Sequence, residues 1–237
     1  MKVVILAGGK GTRLAPYTTV FPKALVPVAD LPIVEILIRQ LAFYGMTDVV
    51  LSVGHLGELI RAYFSGNHRL PPEVSVSYVT EAKPLGTAGS LTLVEGLEDT
   101  FLVANGDVLT TLDFGRLVEY HRQRSAAMTV AMHQKEVRTD LGVMEVDSAS
   151  RVTGYREKPV LTYRVSMGVY VYEPRVLRLI PAGEYLDFPD LVHRLLDAGE
   201  LVHAYPSNDF WLDIGRPEDY ARATEEFLTR RAEFHAD

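Results

Sequence analysis

The chain has 237 residues, 47% of them hydrophobic and 23% charged, which supplies a sizeable core and sets it among ordinary globular proteins rather than disordered ones. A net charge of −7 argues against a surface built for DNA or RNA, because backbone phosphates are bound by clustered Lys and Arg; local anion sites stay open. The lack of cysteine excludes disulfides, thiolate catalysis and Cys-ligated zinc, and no apolar run approaches a membrane span or a secretory signal, so a cytoplasmic protein without a membrane partner is expected.

In chain order, Val3 to Leu6 is a first apolar, β-branched strand. Residues 31 to 45 (LPIVEILIRQLAFYG) have helical spacing, with Pro32 in the first turn and Gly45 just past the end. A strand at 48 to 53, a helix from Leu56 to Phe64, a strand at 74 to 79, a helix from Ala88 to Glu95 and a strand at 101 to 104 continue the alternation. Asp99 and Asp113 are expected as cap or turn residues. A polar helix containing Glu119, His121 and Arg122 precedes a strand at 128 to 132. GVMEVD (142 to 147) and RVTGYREKP (151 to 159) then predict a hairpin excursion, after which strand character returns at 167 to 172. PDLVHRLLDAG (189 to 199) predicts a helix capped by Asp187 and stopped by Gly199, and a charged surface helix is expected from Glu218 onward. Such alternation belongs to βαβ crossovers, so the expected class is α/β with a mainly parallel sheet, in one domain over 1–237.

The first strand runs straight into GGKGTRL (8 to 14). Glycines leaving a parallel strand permit a tight turn and expose backbone N–H groups that cradle phosphate oxygens, which is the use expected of Gly8, Gly9 and Gly11. Arg13 adds a planar, permanently charged fork, and Lys10 and Lys23 add point charges. The glycine spacing is neither G-x-G-x-x-G nor G-x-x-x-x-G-K-[ST], which disfavours a dinucleotide-dependent dehydrogenase and a P-loop. The seven histidines, His55 and His68 among them, have no metal-ligating spacing; His55, opening a loop after a strand, is the one to follow.

LAGGKGTRL followed by FPKALVPV resembles the signature of the sugar-1-phosphate nucleotidylyltransferases. EAKPLGTAGSL (81 to 91), ANGDV (104 to 108), GVMEVD, REKP (156 to 159), SMGVYVY (166 to 172) and WLDIGRPEDY (211 to 220) fall in that family's order, so the likeness covers residues 1 to 220. The resemblance implies a Rossmann-like fold with a small β-rich sugar-binding insertion. Residues 1–110 would form a nucleotide-binding half and 111–237 a sugar-phosphate-binding half. It also implies an enzyme that joins a nucleoside triphosphate to a sugar 1-phosphate, releases pyrophosphate and uses Mg2+. Short guanylyltransferases acting on mannose or manno-heptose 1-phosphate are the nearest in pattern, chiefly through PLGTAG.

By the same resemblance Arg13, Lys23 and Asp107 carry the chemistry, and Asp107 with Asp213 holds the metal. Leu6, Ala7, Gly8, Gly9, Gly11, Thr12 and Arg13 contact the nucleotide, together with Glu81, Gly86 and Thr87. Relatives that use UTP or dTTP commonly carry glutamine where this chain has Glu81. A carboxylate only accepts hydrogen bonds, and guanine offers N1–H and a 2-amino group side by side, so GTP is favoured. Gly142, Glu157, Lys158 and Gly168 are the expected sugar-phosphate contacts. A regular strand would send Glu157 and Lys158 to opposite faces, so their shared role requires an irregular backbone. At Ser166-Met167 many relatives carry asparagine, and that contact is not carried over. The alternatives are a UTP- or dTTP-dependent enzyme and a non-catalytic nucleotide-sugar-binding regulatory subunit; a homo-oligomer is compatible with either.

Overall fold

Val3, Val4 and Ile5 are fully buried because both faces of the first strand, β1 (Lys2–Ala7), are covered, as the unbroken apolar run requires. The computed structural model describes residues 1–66 and 70–236, so His68 lies outside the described residues. After β1 come α1 (Ile33–Phe43), β2 (Asp48–Val53), α2 (Gly57–Phe64), β3 (Ser75–Thr80), the short α3 (Gly86–Gly89), β4 (Phe101–Asn105), β5 (Val108–Thr110) and α4 (Phe114–Gln123). The second half adds β6 (Met128–Arg138), β7 (Val143–Val146), β8 (Val152–Arg156), β9 (Val160–Tyr172), α5 (Phe188–Asp197), β10 (Val202–Ser207), β11 (Trp211–Asp213) and α6 (Pro217–Thr229).

The main sheet has seven strands in the order β10-β6-β9-β4-β1-β2-β3. β1 pairs in parallel with β2 and β4, β2 with β3, and β6 with β10, while β9 runs against both of its neighbours. Alternate residues of β1 enter different apolar layers: Val3 and Ile5 pack with Leu37, Ile60 and Leu117, and Val4 packs with Leu91, Val176 and Leu191. A third cluster joins Leu14, Ile33, Leu109, Leu212 and Phe227, and so fastens the loop after β1 to the small β5–β11 pair and to α6. No helix among the described residues is long and apolar enough to cross a membrane.

The mainly parallel α/β sheet and the hairpin excursion were both legible in the sequence: β7 pairs antiparallel with β8, beyond the exposed outer halves of β6 and β9. Two helices differ. Pro32 stands outside α1 in an extended conformation (φ −63°, ψ 144°), because Leu31 and Pro32 pair with Pro27 and Val28 before the helix begins. The helix expected from Ala88 to Glu95 is instead the four-residue α3 followed by a 3-10 turn at Ser90–Leu93. Its N–H groups are claimed from outside, since Ala88 and Gly89 donate to the carbonyl of Leu186 (3.0 and 2.9 Å). Asp113 does cap α4, accepting from the Arg116 N–H at 2.9 Å.

Candidate active site

The loop after β1 is held by what its glycines permit. A Cβ at Gly8 would fall 2.8 Å from Glu81 Oε1 and 3.3 Å from the Gly54 nitrogen, so glycine lets the loop pass close to the end of β3 without displacing the Glu81 carboxylate. Gly11 has φ +62°, where an L side chain costs about 1–2 kcal/mol, and its carbonyl accepts from the Thr18 hydroxyl at 2.7 Å. Next comes a 3-10 turn, Thr12–Leu14, anchored by Leu14 at 1% exposure, which leaves the neighbouring Arg13 at the surface. Burying Leu14 is worth about 1.5–3 kcal/mol. Lys23 opens the third 3-10 turn of the loop, after one at Tyr17–Thr19, and its buried Ala24 and Leu25 fix it in the same way.

Lys23 forms an ion pair with Oδ2 of Asp107, in the turn between β4 and β5. Oδ1 of Asp107 is buried and has no hydrogen-bond partner among the described residues. Asp213 on β11 lies opposite Val108, and the next residue, Ile214, donates its N–H to the Asp107 carbonyl at 3.2 Å. Burial, and then the charge of Asp107, push the Asp213 carboxyl above its ordinary value, against the pull of Lys23 and Arg13. Arg13 and Asp213 meet across Gly215, where an added Cβ would lie 3.3 Å from Arg13 Nη1 and 3.4 Å from Asp213 Oδ2. Two cations therefore face two acids, and one acid oxygen still lacks a partner. An unpaired buried oxygen costs about 1–3 kcal/mol, and a divalent cation that accepts two carboxylates plus phosphate oxygens would relieve it.

Two cavities meet at this point. The larger, of about 340 Å3, is lined by Leu6, Ala7, Gly8, Gly9, Lys23, Glu81, Gly86, Thr87 and Asp107, and also by Pro84, Ser90, Asn105, Tyr185 and Asp187. The smaller, of about 290 Å3, is lined by Gly9, Gly11, Thr12, Arg13, Lys23, Asp107 and Gly215. Gly9, Lys23 and Asp107 belong to both. All the residues expected around a nucleotide thus line one or the other of these two cavities, at the carboxyl ends of β1, β3 and β4. Glu81 is not wholly free there: Oε2 accepts from the Leu85 N–H at 2.9 Å and Oε1 from the Ser52 hydroxyl at 3.3 Å.

Of the four residues expected at the sugar, Gly168 comes closest. It has φ +74° at the β9 irregularity, and a Cβ there would lie 2.7 Å from the Asn105 amide, which lines the larger cavity. Gly142, Glu157 and Lys158 lie on the excursion, outside the lining of both cavities. The backbone there is irregular as required, with Lys158 at φ +43°. Tyr155 bridges the group: it packs on Gly142 and donates its hydroxyl to Glu157 at 2.9 Å. His55 reaches the glycine loop through its backbone N–H, which donates to Gly8 at 3.4 Å.

The helix cap expected of Asp187 is not formed. Its side chain makes no bond to the N-terminus of α5; Oδ1 instead accepts the Thr87 N–H at 3.0 Å, and the Thr87 hydroxyl in turn accepts the Phe188 N–H at 2.8 Å. The sequence did not reveal Tyr185 or Asn105 as part of this wall, nor Ser52 as a partner of Glu81, because none stands in a spacing that carries chemistry by itself.

Comparison with known proteins agrees with the geometry. Residues 2–230 match the family described as Nucleotidyl transferase. The UTP–glucose-1-phosphate uridylyltransferase of Synechocystis is 33% identical over 97% of this chain and 64% of its own length. The mannose-1-phosphate guanylyltransferase of Mycobacterium tuberculosis is 33% identical over 95% of this chain and 64% of its own. The chain thus spans less than two thirds of these curated relatives. Among solved structures, HddC from Yersinia pseudotuberculosis in complex with GMP-PN superposes with a TM-score of 0.73 at 25% identity, covering 95% of this chain and 99% of that one. A putative glucose-1-phosphate thymidylyltransferase from Bacillus anthracis gives 0.74 at 27%, covering 95% and 94%. With a match over nearly its whole length and a shared Rossmann-like sheet, the chain belongs to the nucleotidyl transferase family.

Proposed function

We propose that the protein joins a nucleoside triphosphate, GTP by preference, to a sugar 1-phosphate resembling mannose or heptose 1-phosphate, forming a nucleoside-diphosphate sugar and pyrophosphate. An oxygen of the sugar phosphate attacks the α-phosphorus, and the bond from that phosphorus to the bridging oxygen of pyrophosphate breaks. Two anions must meet, so the chain's task is positioning and charge neutralisation. Arg13 and the backbone of Gly9 to Thr12 hold the triphosphate and take up charge as pyrophosphate departs. Lys23 exchanges its hold on Asp107 for a phosphate. Asp107 and Asp213 hold Mg2+, which when bound neutralises phosphate charge; the partnerless Oδ1 and the raised Asp213 carboxyl fit that ion.

Residues 1–110 carry most of the nucleotide contacts and 111–237 those of the sugar phosphate, where Lys158 meets the phosphate, Glu157 the sugar hydroxyls, and Gly142 and Gly168 their backbone. The preference for GTP rests on Glu81, whose carboxylate keeps acceptor capacity beside its bond to Leu85, and on the guanylyltransferases among the relatives. The single observation that carries the reading is the sharing of Lys23 and Asp107 by two adjoining cavities, one continuing to Arg13 and the other to Glu81. The Synechocystis relative favours a second reading, in which UTP replaces GTP. Pyrophosphate release, measured with each of the four common triphosphates, Mg2+ and a panel of sugar 1-phosphates, tests both. Turnover with GTP and a mannose-like phosphate is expected; preference for UTP selects the second reading, and no release with any pair rejects enzymatic activity.

A further inference from the structure

The turn at residues 84–89 is clamped by a segment from the other half of the chain. Leu186 donates its N–H to Leu85 (2.9 Å) and accepts from Ala88 and Gly89, and these backbone bonds hold the two segments together on both sides of Thr87. At Thr87 itself, which faces the larger cavity, the clamp is a side chain. Asp187 Oδ1 accepts the Thr87 N–H at 3.0 Å and its hydroxyl at 3.3 Å, and Oδ2 accepts the hydroxyl of Tyr185. Both Asp187 and Tyr185 line the same cavity.

A carboxylate in the wall of a cavity that takes a polyanion opposes binding unless it stands at the neutral end of the ligand and its charge is used by the protein. Asp187 meets both conditions. It lies with Glu81 and Thr87 rather than with Arg13, since the smaller, Arg13-lined cavity does not include it. Its three donors use the charge: burial would raise the carboxyl, yet the Tyr185 hydroxyl and the two Thr87 donors hold it below its ordinary value.

We propose that Asp187 is a positioning residue for the nucleoside end of the triphosphate: by gripping Thr87 it fixes the Gly86–Thr87 turn at the distance from Glu81 that the base requires. The inference rests on the function proposed above and names the part of the second half that serves the first substrate.

The test is equilibrium binding of each of the four triphosphates in non-hydrolysable form, with steady-state kinetics beside it, for wild type, Asp187→Ala, Asp187→Asn and Thr87→Val. Loss of charged hydrogen bonds predicts that Asp187→Ala raises both the Kd and the KM of the preferred triphosphate about tenfold. The KM of the sugar 1-phosphate and kcat should stay within about threefold. Asp187→Asn keeps an acceptor oxygen for both Thr87 donors and should recover to within about threefold of wild type. Thr87→Val, which keeps the shape but removes the hydroxyl, should weaken binding by an intermediate factor and serves if the alanine variant does not fold. Unchanged triphosphate binding in the alanine and valine variants, equal losses for both substrates, or an asparagine variant as poor as alanine would each overturn the proposal. Wild-type binding of a triphosphate without turnover rejects the enzymatic reading, and the ratios of variant to wild-type affinity then decide the role of Asp187; no binding of any triphosphate rejects both.

Discussion

The loop after β1 and the β7–β8 excursion contrast in how they are built. The loop carries exposed Arg13 on buried Leu14, and Lys23 on buried Ala24 and Leu25, so each functional side chain is rooted in an apolar layer. The excursion has no such root: Met144, Val146, Val152 and Tyr155 are about 60% exposed, and Lys158 stands on a strained backbone. The end proposed for the phosphates is therefore organised by the chain's own packing, whereas the end proposed for the sugar rests on a two-stranded pair with little packing beneath it. Substitutions in the first region should act on turnover and those in the second on substrate affinity.

The largest effect should come from Arg13→Ala and Asp107→Asn. Removing one preorganised group that stabilises developing charge costs about 3–4 kcal/mol, or 10²–10³ in turnover. Pyrophosphate release under saturating substrates is the measurement, and Asp107→Asn should also raise the Mg2+ concentration needed for half-maximal rate. Lys158→Ala should raise the KM of the sugar 1-phosphate about tenfold with little change in the KM of the triphosphate. If it instead lowers kcat as Arg13→Ala does, the contrast between the two regions fails.

The same contrast governs what is legible in the sequence. The sheet is legible because VVILA, DVVLSV and FLVAN are apolar runs of strand length, and the loop after β1 because its cluster of glycines suits a crowded turn, with Gly8 close to Glu81 and Gly11 at a positive φ that glycine adopts without strain. Asp187 has the sequence position of a helix cap because it stands just before α5; its partner Thr87 lies 100 positions away, a distance that no local pattern spans. The helix expected at 88–95 gives way after Gly89 to a 3-10 turn, and the free N–H groups of its first turn, those of Ala88 and Gly89, are taken by the Leu186 carbonyl, again about 100 positions away. At Asp187 tertiary hydrogen bonding overrides what local spacing suggests.

A smaller effect tests the base end of the cavity. Glu81→Gln keeps an acceptor for the Leu85 N–H and removes the carboxylate's second acceptor, putting an amide donor in its place. The ratio of kcat/KM for GTP over UTP should fall about tenfold, by analogy with one charge-assisted hydrogen bond lost. An unchanged ratio would assign base choice to the backbone of the clamped turn alone.

The smallest effect concerns stability rather than rate, and it separates the two regions most directly. Asp213 has a folded-state pKa raised above its unfolded value by burial first and by Asp107 second, so its ionisation opposes folding. The stabilisation linked to its protonated form is fully present below the unfolded value of 3.8 and is lost as pH rises through the elevated folded value. At neutral pH, with divalent cations chelated, Asp213→Asn should therefore melt at a higher temperature than the parent chain, and the advantage should shrink as the solution is acidified. If Asp213 holds the ion as proposed, added Mg2+ should raise the Tm of the parent and reverse the order, because asparagine lacks the carboxylate that would bind it. Glu157→Gln on the exposed excursion should move Tm in neither condition, since among the described residues its carboxylate is bonded only to the hydroxyl of Tyr155 at the surface. A destabilised Asp213→Asn without metal would mean that the acid pair already finds its compensation in Lys23 and Arg13, and that the site was not left short of positive charge.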